Sequence, residues 1–201
     1  MPEFERVTGQ LAGAPIALRR QVVHDARDLL RADGRISPRD RLWWLTLRHR
    51  LNGQPGGATL ILPITHHHAD IADLPGAERA HVAALSAYLA RFIPMPERTD
   101  GVHPASQVWY DQVMQRCGED MADTVMPAPP DADGLVHALS AVQELGWVLR
   151  AILVKAWVEE AFNHSPQGLL SDETADALRM CACLLDTPLP PMLEAHYRAT
   201  R

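Results

Sequence analysis

Leu29-Leu30-Arg31-Ala32-Asp33-Gly34-Arg35-Ile36-Ser37-Pro38-Arg39-Asp40 decides the fold class. Upstream of it, Leu18, Val22, Ala26, Leu29 and Leu30 recur at spacings of three and four, which is the apolar stripe of an amphipathic helix. The stripe runs into Asp33-Gly34, where a glycine accepts the left-handed conformation that closes a helix. Ser37 then stands before Pro38, with Asp40 three residues on, the pattern of a capped helix start. The new helix carries Leu42, Trp43, Trp44, Leu45, Leu47 and Leu51 on more than one face, which places it centrally. The stretch therefore predicts a helical hairpin.

Ala161-Phe162-Asn163-His164-Ser165-Pro166-Gln167-Gly168-Leu169-Leu170-Ser171-Asp172-Glu173 repeats the plan: apolar helix, glycine turn, apolar plug, serine cap, new helix. Gly168 supplies the turn and Ser171 the cap, as Gly34 and Ser37 do in the first copy. Between the copies, helical spacing predicts helices over Ala77–Ile93, Ala105–Cys117, a short one through Leu135, Leu139 and Val142 that breaks near Gly146, and a long one over Trp147–Asn163. Ser171–Leu185 is read as the last long helix, stopped by Pro188, Pro190 and Pro191. The run Ala58–Ile64 has no strand partner and is expected to be irregular or helical. The class is all-α: a two-lobed bundle of about seven or eight helices. The proline-rich stretch Met126–Asp133 suggests the boundary, giving lobes over residues 1–126 and 131–201 of one compact domain.

The two turn segments resemble the TerB-like tellurite-resistance module. A closer likeness is to the helical C-terminal region of HExxH-type integral-membrane metallopeptidases, carried by Leu18-Arg19-Arg20 through Asp40 and by the ending Leu178 to Leu193. These two stretches are 23 and 16 of the 201 residues, and Gly53 to Pro130 is not matched. The resemblance implies helical hairpins and a metal- or membrane-stress-linked scaffold. Its turn acids fall on Asp33 and Asp40 in the first copy, but on Gln167 and Thr174 in the second. The peptidase signature His-Glu-x-x-His is absent, so zinc-peptidase chemistry does not carry over.

Composition narrows the function. The 201 residues carry a net charge of −6, which lacks the broad positive field of a nucleic-acid binder. Lys155 is the only lysine, and the arginine excess reads as coding bias rather than as a recognition surface. The most apolar window, Leu145 to Phe162, is broken by Arg150, Lys155, Glu159 and Glu160, so it does not span a membrane. The charged N-terminus lacks a signal-peptide core, and an odd count of three cysteines fits a reducing cytoplasm. Cys181 and Cys183, two apart, read as small apolar side chains rather than a shared metal site.

His66-His67-His68 with Asp70 is the most suggestive cluster, since imidazole and carboxylate ligate zinc, nickel or copper. Consecutive side chains diverge, so further ligands such as His81 or His103 are required. Asp33 with Asp40 reads as a cap and a loop acid before it reads as a cation site. Asp131-Ala132-Asp133-Gly134 fails as a calcium loop because Pro129 stands at the first ligand position. No nucleophile elbow, phosphate loop or dinucleotide fingerprint is present. A partly exposed member of the five tryptophans would mark a binding groove. The expectation is a non-catalytic cytoplasmic scaffold or regulatory module that takes no cofactor and binds a protein partner, one at a membrane included. Homo-oligomerisation stays open. The alternative is a transition-metal protein or metal-dependent enzyme built on His66, His68 and Asp70.

Overall fold

A computed structural model describes residues 1–32, 34–52, 70–94, 103–118 and 125–199. Within them it is all-helical, with nine α-helices and two 3-10 turns. The chain divides into two compact units, Met1–Thr65 and His66–Arg201.

The first unit holds α1 (Pro2–Ala12), α2 (Ile16–Arg31) and α3 (Pro38–Asn52), with α3 packed on both others. Its core gathers Phe4, Val23, Leu47 and Leu51, with Trp43 and Trp44 against them. The Phe4 and Trp43 rings lie 4.0 Å apart, tilted by 53°. The expected turn is present. Gly34 has φ +72°. The Ser37 backbone N–H donates to Asp40 Oδ2 at 3.0 Å, and the Asp40 N–H donates to Ser37 Oγ at 3.2 Å, a reciprocal cap. Arg50 fastens α3 to α1 through Glu5 at 3.3 Å, and Arg19 of α2 donates to the Leu51 carbonyl at 2.9 Å.

The second unit holds a 3-10 turn (Ile71–Asp73), α4 (Gly76–Leu89), α5 (Pro104–Arg116), α6 (Ala132–Gln143), α7 (Trp147–His164), a second 3-10 turn (Pro166–Gly168), α8 (Asp172–Leu184) and α9 (Pro191–Ala199). α7 is the hub, touching α5, α8, α9 and both 3-10 turns, while α4 packs mainly on α6. Trp109 and Trp157 are fully buried. Each satisfies its indole N–H inside the core: Trp157 donates to Ser86 Oγ at 2.9 Å, and Trp109 to the Trp157 carbonyl at 3.3 Å. Thr174 Oγ1 of α8 donates to the Phe92 carbonyl at 2.6 Å. The second turn repeats the first: Gly168 has φ +67° and Ser171 Oγ accepts from the Thr174 N–H at 3.1 Å.

Two expectations, the boundary and the role of Pro191, need correction. The division falls before His66, not at 126–131. α4 and α5 pack on α6 and α7, so Pro127, Pro129 and Pro130 form a connection inside the second unit. The charged N-terminus is a helix, α1; Phe4 and Leu11 give it a core face despite Gly9. Pro191 starts α9 rather than ending a helix, because proline at a first helical position needs no N–H partner. The run Ala58–Ile64 lies outside the described residues.

Candidate functional site

On α2, Ile16, Arg20, Val23, His24 and Arg27 fall at steps of three and four and form one strip. On α3, Trp44, Arg48 and Asn52 do the same at steps of four. Where the two strips face each other, Ile16, Arg20, Val23, His24, Arg27, Trp44 and Asn52 line an open groove of about 450 Å³. Its floor is Trp44, half-buried, with its indole N–H turned inward to the Val23 carbonyl at 3.4 Å. That bond fixes the ring, leaving its faces to cations. Arg27 Cζ lies 5.8 Å and Arg48 Cζ 5.5 Å from the ring centroid, both within cation–π range. Ile16, at 52% exposure, makes an apolar lip. Among the described residues no carboxylate pairs with Arg20, Arg27 or Arg48, whereas His24 is held by Asp28 at 3.2 Å.

The surrounding charge has the same sign. Met1–Thr65 carries ten arginines against six acidic residues, and His66–Arg201 carries nine cationic against nineteen acidic residues. The chain's net −6 thus hides a basic first unit, and arginines that composition alone ascribes to coding bias converge here.

A second polar constellation lies between α5 and α7. Glu160 is 6% exposed. Its carboxylate pairs with Arg116 Nη2 and accepts from Asn163 Nδ2 at 3.2 Å, with His164 Nε2 at 3.7 Å. Arg116 Nη1 meets Glu159 Oε2 at 2.7 Å, and Lys155 Nζ lies 3.6 Å from Glu159. The hydrogen bond from Arg116, with the nearby positive charges, holds the Glu159 carboxyl below the usual carboxylate range against a smaller opposing effect of burial. The guanidinium is bridged between two carboxylates and ties α5 to α7. This network ties the helix pair together. In the sequence, Glu159-Glu160 inside an apolar helix is its one visible signal.

The metal candidates either cap helices or lie beyond the described part of the chain. His66, His67, His68 and Asp33 lie outside the described residues. Asp70 caps the first 3-10 turn, its side chain accepting from the Ala72 N–H at 3.3 Å. Of the supplementary ligands considered, His103 caps α5 through Nδ1, which accepts from the Ala105 N–H at 3.1 Å. His81 meets His137 of α6 edge to face at 4.9 Å. Among the described residues no three His, Cys, Asp or Glu side chains converge on one point. Asp40 serves as the reciprocal cap of α3. Cys117 and Cys181 are buried, and burial, with the Cys183 thiol nearby, pushes the Cys181 thiol up to about 12. No helix among the described residues is long and apolar enough to cross a membrane.

Of the tryptophans, Trp147 at the start of α7 is 69% exposed, and Trp43 and Trp44 are half-buried. Trp44 combines accessibility with a concave surround. Comparison of the chain with family models, with curated proteins and with solved structures gave no match.

Proposed function

We propose that the chain is a non-catalytic, TerB-like scaffold or regulatory module that binds a protein partner. The observation that carries the reading is the α2–α3 groove, a fixed aromatic floor with an apolar lip and arginines beside it that no carboxylate pairs among the described residues. The two glycine–serine turns, Gly34 to Ser37 and Gly168 to Ser171, support the TerB-like part. The other polar constellation described, around Glu160, pairs Arg116 with two carboxylates and joins α5 to α7.

Photo-cross-linking in cells tests the reading. A benzoylphenylalanine placed singly at exposed Leu18, Leu29, Trp147 or Leu169 is expected to give a discrete cross-linked protein from at least one position. Adducts at none of the four positions, with one tightly held transition metal per purified chain, would replace this reading with the metal-binding one.

A further inference from the structure

We infer that the α2–α3 groove takes an acidic amphipathic helix of the partner, with carboxylates seven residues apart and apolar side chains midway between them. This inference rests on the binding-module reading and names the ligand of the same groove.

Length is the first argument. Ile16 and Arg27 are eleven residues apart on α2, so the strip runs for about 16 Å at 1.5 Å per residue. That is three helical turns, the right length for a peptide helix. Register is the second. Arg20 and Arg27 are separated by seven residues, two turns or about 10.5 Å. A ligand helix laid along the groove repeats at the same pitch, so carboxylates at its positions i and i+7 meet both guanidiniums at once. Between the arginines the lining is Val23, His24 and Trp44, so an apolar ring lies beside one imidazole. Side chains at i+3 and i+4 of the ligand fall between the arginines, against the part of Trp44 that Arg27 and Arg48 leave open.

Charge is the third argument. Arg20 and Arg27 have no carboxylate partner among the described residues. Trp44 orients Arg27 from beneath without neutralising it. Asp25 and Asp28 stand on the adjoining strip of α2, Asp25 accepting from Gln21 at 2.6 Å and Asp28 facing His24. The face is therefore basic along one line and acidic beside it. A flat anionic membrane would meet both signs, whereas a ligand helix can set its carboxylates against Arg20 and Arg27 and keep them off Asp25 and Asp28.

The test uses the full chain and three probes. The first is a fluorescein-labelled, alanine-based helical peptide with glutamates at i and i+7 and leucines at i+3 and i+4. The second has the same composition, with its glutamates moved to the opposite face. The third is vesicles of phosphatidylglycerol. By fluorescence anisotropy the in-register peptide is expected to bind about tenfold tighter than the out-of-register one, and to weaken about fivefold or more in 0.5 M salt. Arg20→Glu with Arg27→Glu should abolish the preference. Arg20→Gln with Arg27→Gln, checked by circular dichroism to be folded, should reduce it, which separates charge loss from misfolding. Equal affinity for the two peptides, binding of neither, or a preference that survives both double variants would overturn the inference. Recruitment to vesicles that depends on Arg20 and Arg27, with no peptide binding, would overturn it in favour of a membrane surface. Cross-links retained from Leu18, Leu29, Trp147 or Leu169 while the peptides fail would sink this inference and leave the binding-module reading intact.

Discussion

Gly118 offers the sharpest test of the second unit. It follows α5 with φ +80°, and its N–H donates to the Gln115 carbonyl at 3.1 Å. A Cβ added there would lie 3.2 Å from the carbonyl carbon of Ala72 and 3.3 Å from its Cα, with the Ala72 oxygen closer still. Gly168 is the matched control: it has φ +67° in the same unit, with nothing within 4 Å of its added Cβ. Alanine at either site meets the left-handed penalty of about 1–2 kcal/mol. At Gly118 the turn Ile71–Asp73 must also move. Ile71 and Leu74, which flank the contact, are 2% and 1% exposed. Forcing an extra carbon into such packing costs about 1–3 kcal/mol. Gly118→Ala should therefore destabilise by about 2–5 kcal/mol and Gly168→Ala by about 1–2 kcal/mol. Urea unfolding, with circular dichroism and tryptophan emission as probes, would separate the two midpoints by about 1 M for a slope near 2 kcal/mol per molar. Equal losses, within about 0.5 kcal/mol, would refute the close approach of the turn to α5.

Two further outcomes concern the charged and thiol groups. Glu159, lowered from its ordinary 4.5 chiefly by the Arg116 hydrogen bond, contributes stability that is present above 4.5 and lost as pH falls through its folded value. Arg116→Ala should thus melt lower than the parent at pH 7, with the gap narrowing on acidification below pH 4.5; a gap independent of pH would contradict the pairing. Cys181, fully buried with its thiol pushed up to about 12, should resist iodoacetamide in the native protein at pH 8 and react after denaturation, as peptide mass mapping would record. Native alkylation of Cys181 would contradict its burial.

The parts of the fold legible in the sequence are those whose signal is local. The reciprocal Ser37–Asp40 cap, the left-handed Gly34 and Gly168, and the Ser171 cap of α8 each depend on a few neighbouring residues, and each is present. Asp131 or Asp133 could cap α6 by position, and Asp131 does, accepting from the Gly134 N–H at 2.8 Å. Features that depend on distant partners are not legible in this way. The proline stretch resembles a hinge by composition, yet the helices on either side of it pack together, and composition carries no record of that pairing. Pro191 is ambiguous for a different reason: proline both ends helices and starts them, and only the residues C-terminal to it decide. The groove is half visible. The steps of three and four that space the leucines and valines of α2 also space Arg20, His24 and Arg27. Its other wall comes from α3, which the arginine spacing alone does not announce.

The pairing order of the second unit also bears on how the chain is made. In sequence the helices run α4, α5, α6, α7, yet α4 packs on α6 and α5 on α7, so the two pairs interleave. Neither pair closes as a hairpin of neighbours, and each encloses part of the other. Helical proteins fold fast when their contacts are near in sequence, and long loop closures slow them. Here the acceptor for the Trp109 indole N–H is Trp157, and the partner of the Trp157 indole is Ser86, 71 residues earlier. A ribosome-bound chain that ends before Trp147 has made α4, α5 and α6 but lacks the helix on which α5 rests. The apolar face of α5, Trp109 and Val113 included, stays without its partner until α7 emerges, which sets a window in which the nascent chain is open to chaperones and to aggregation.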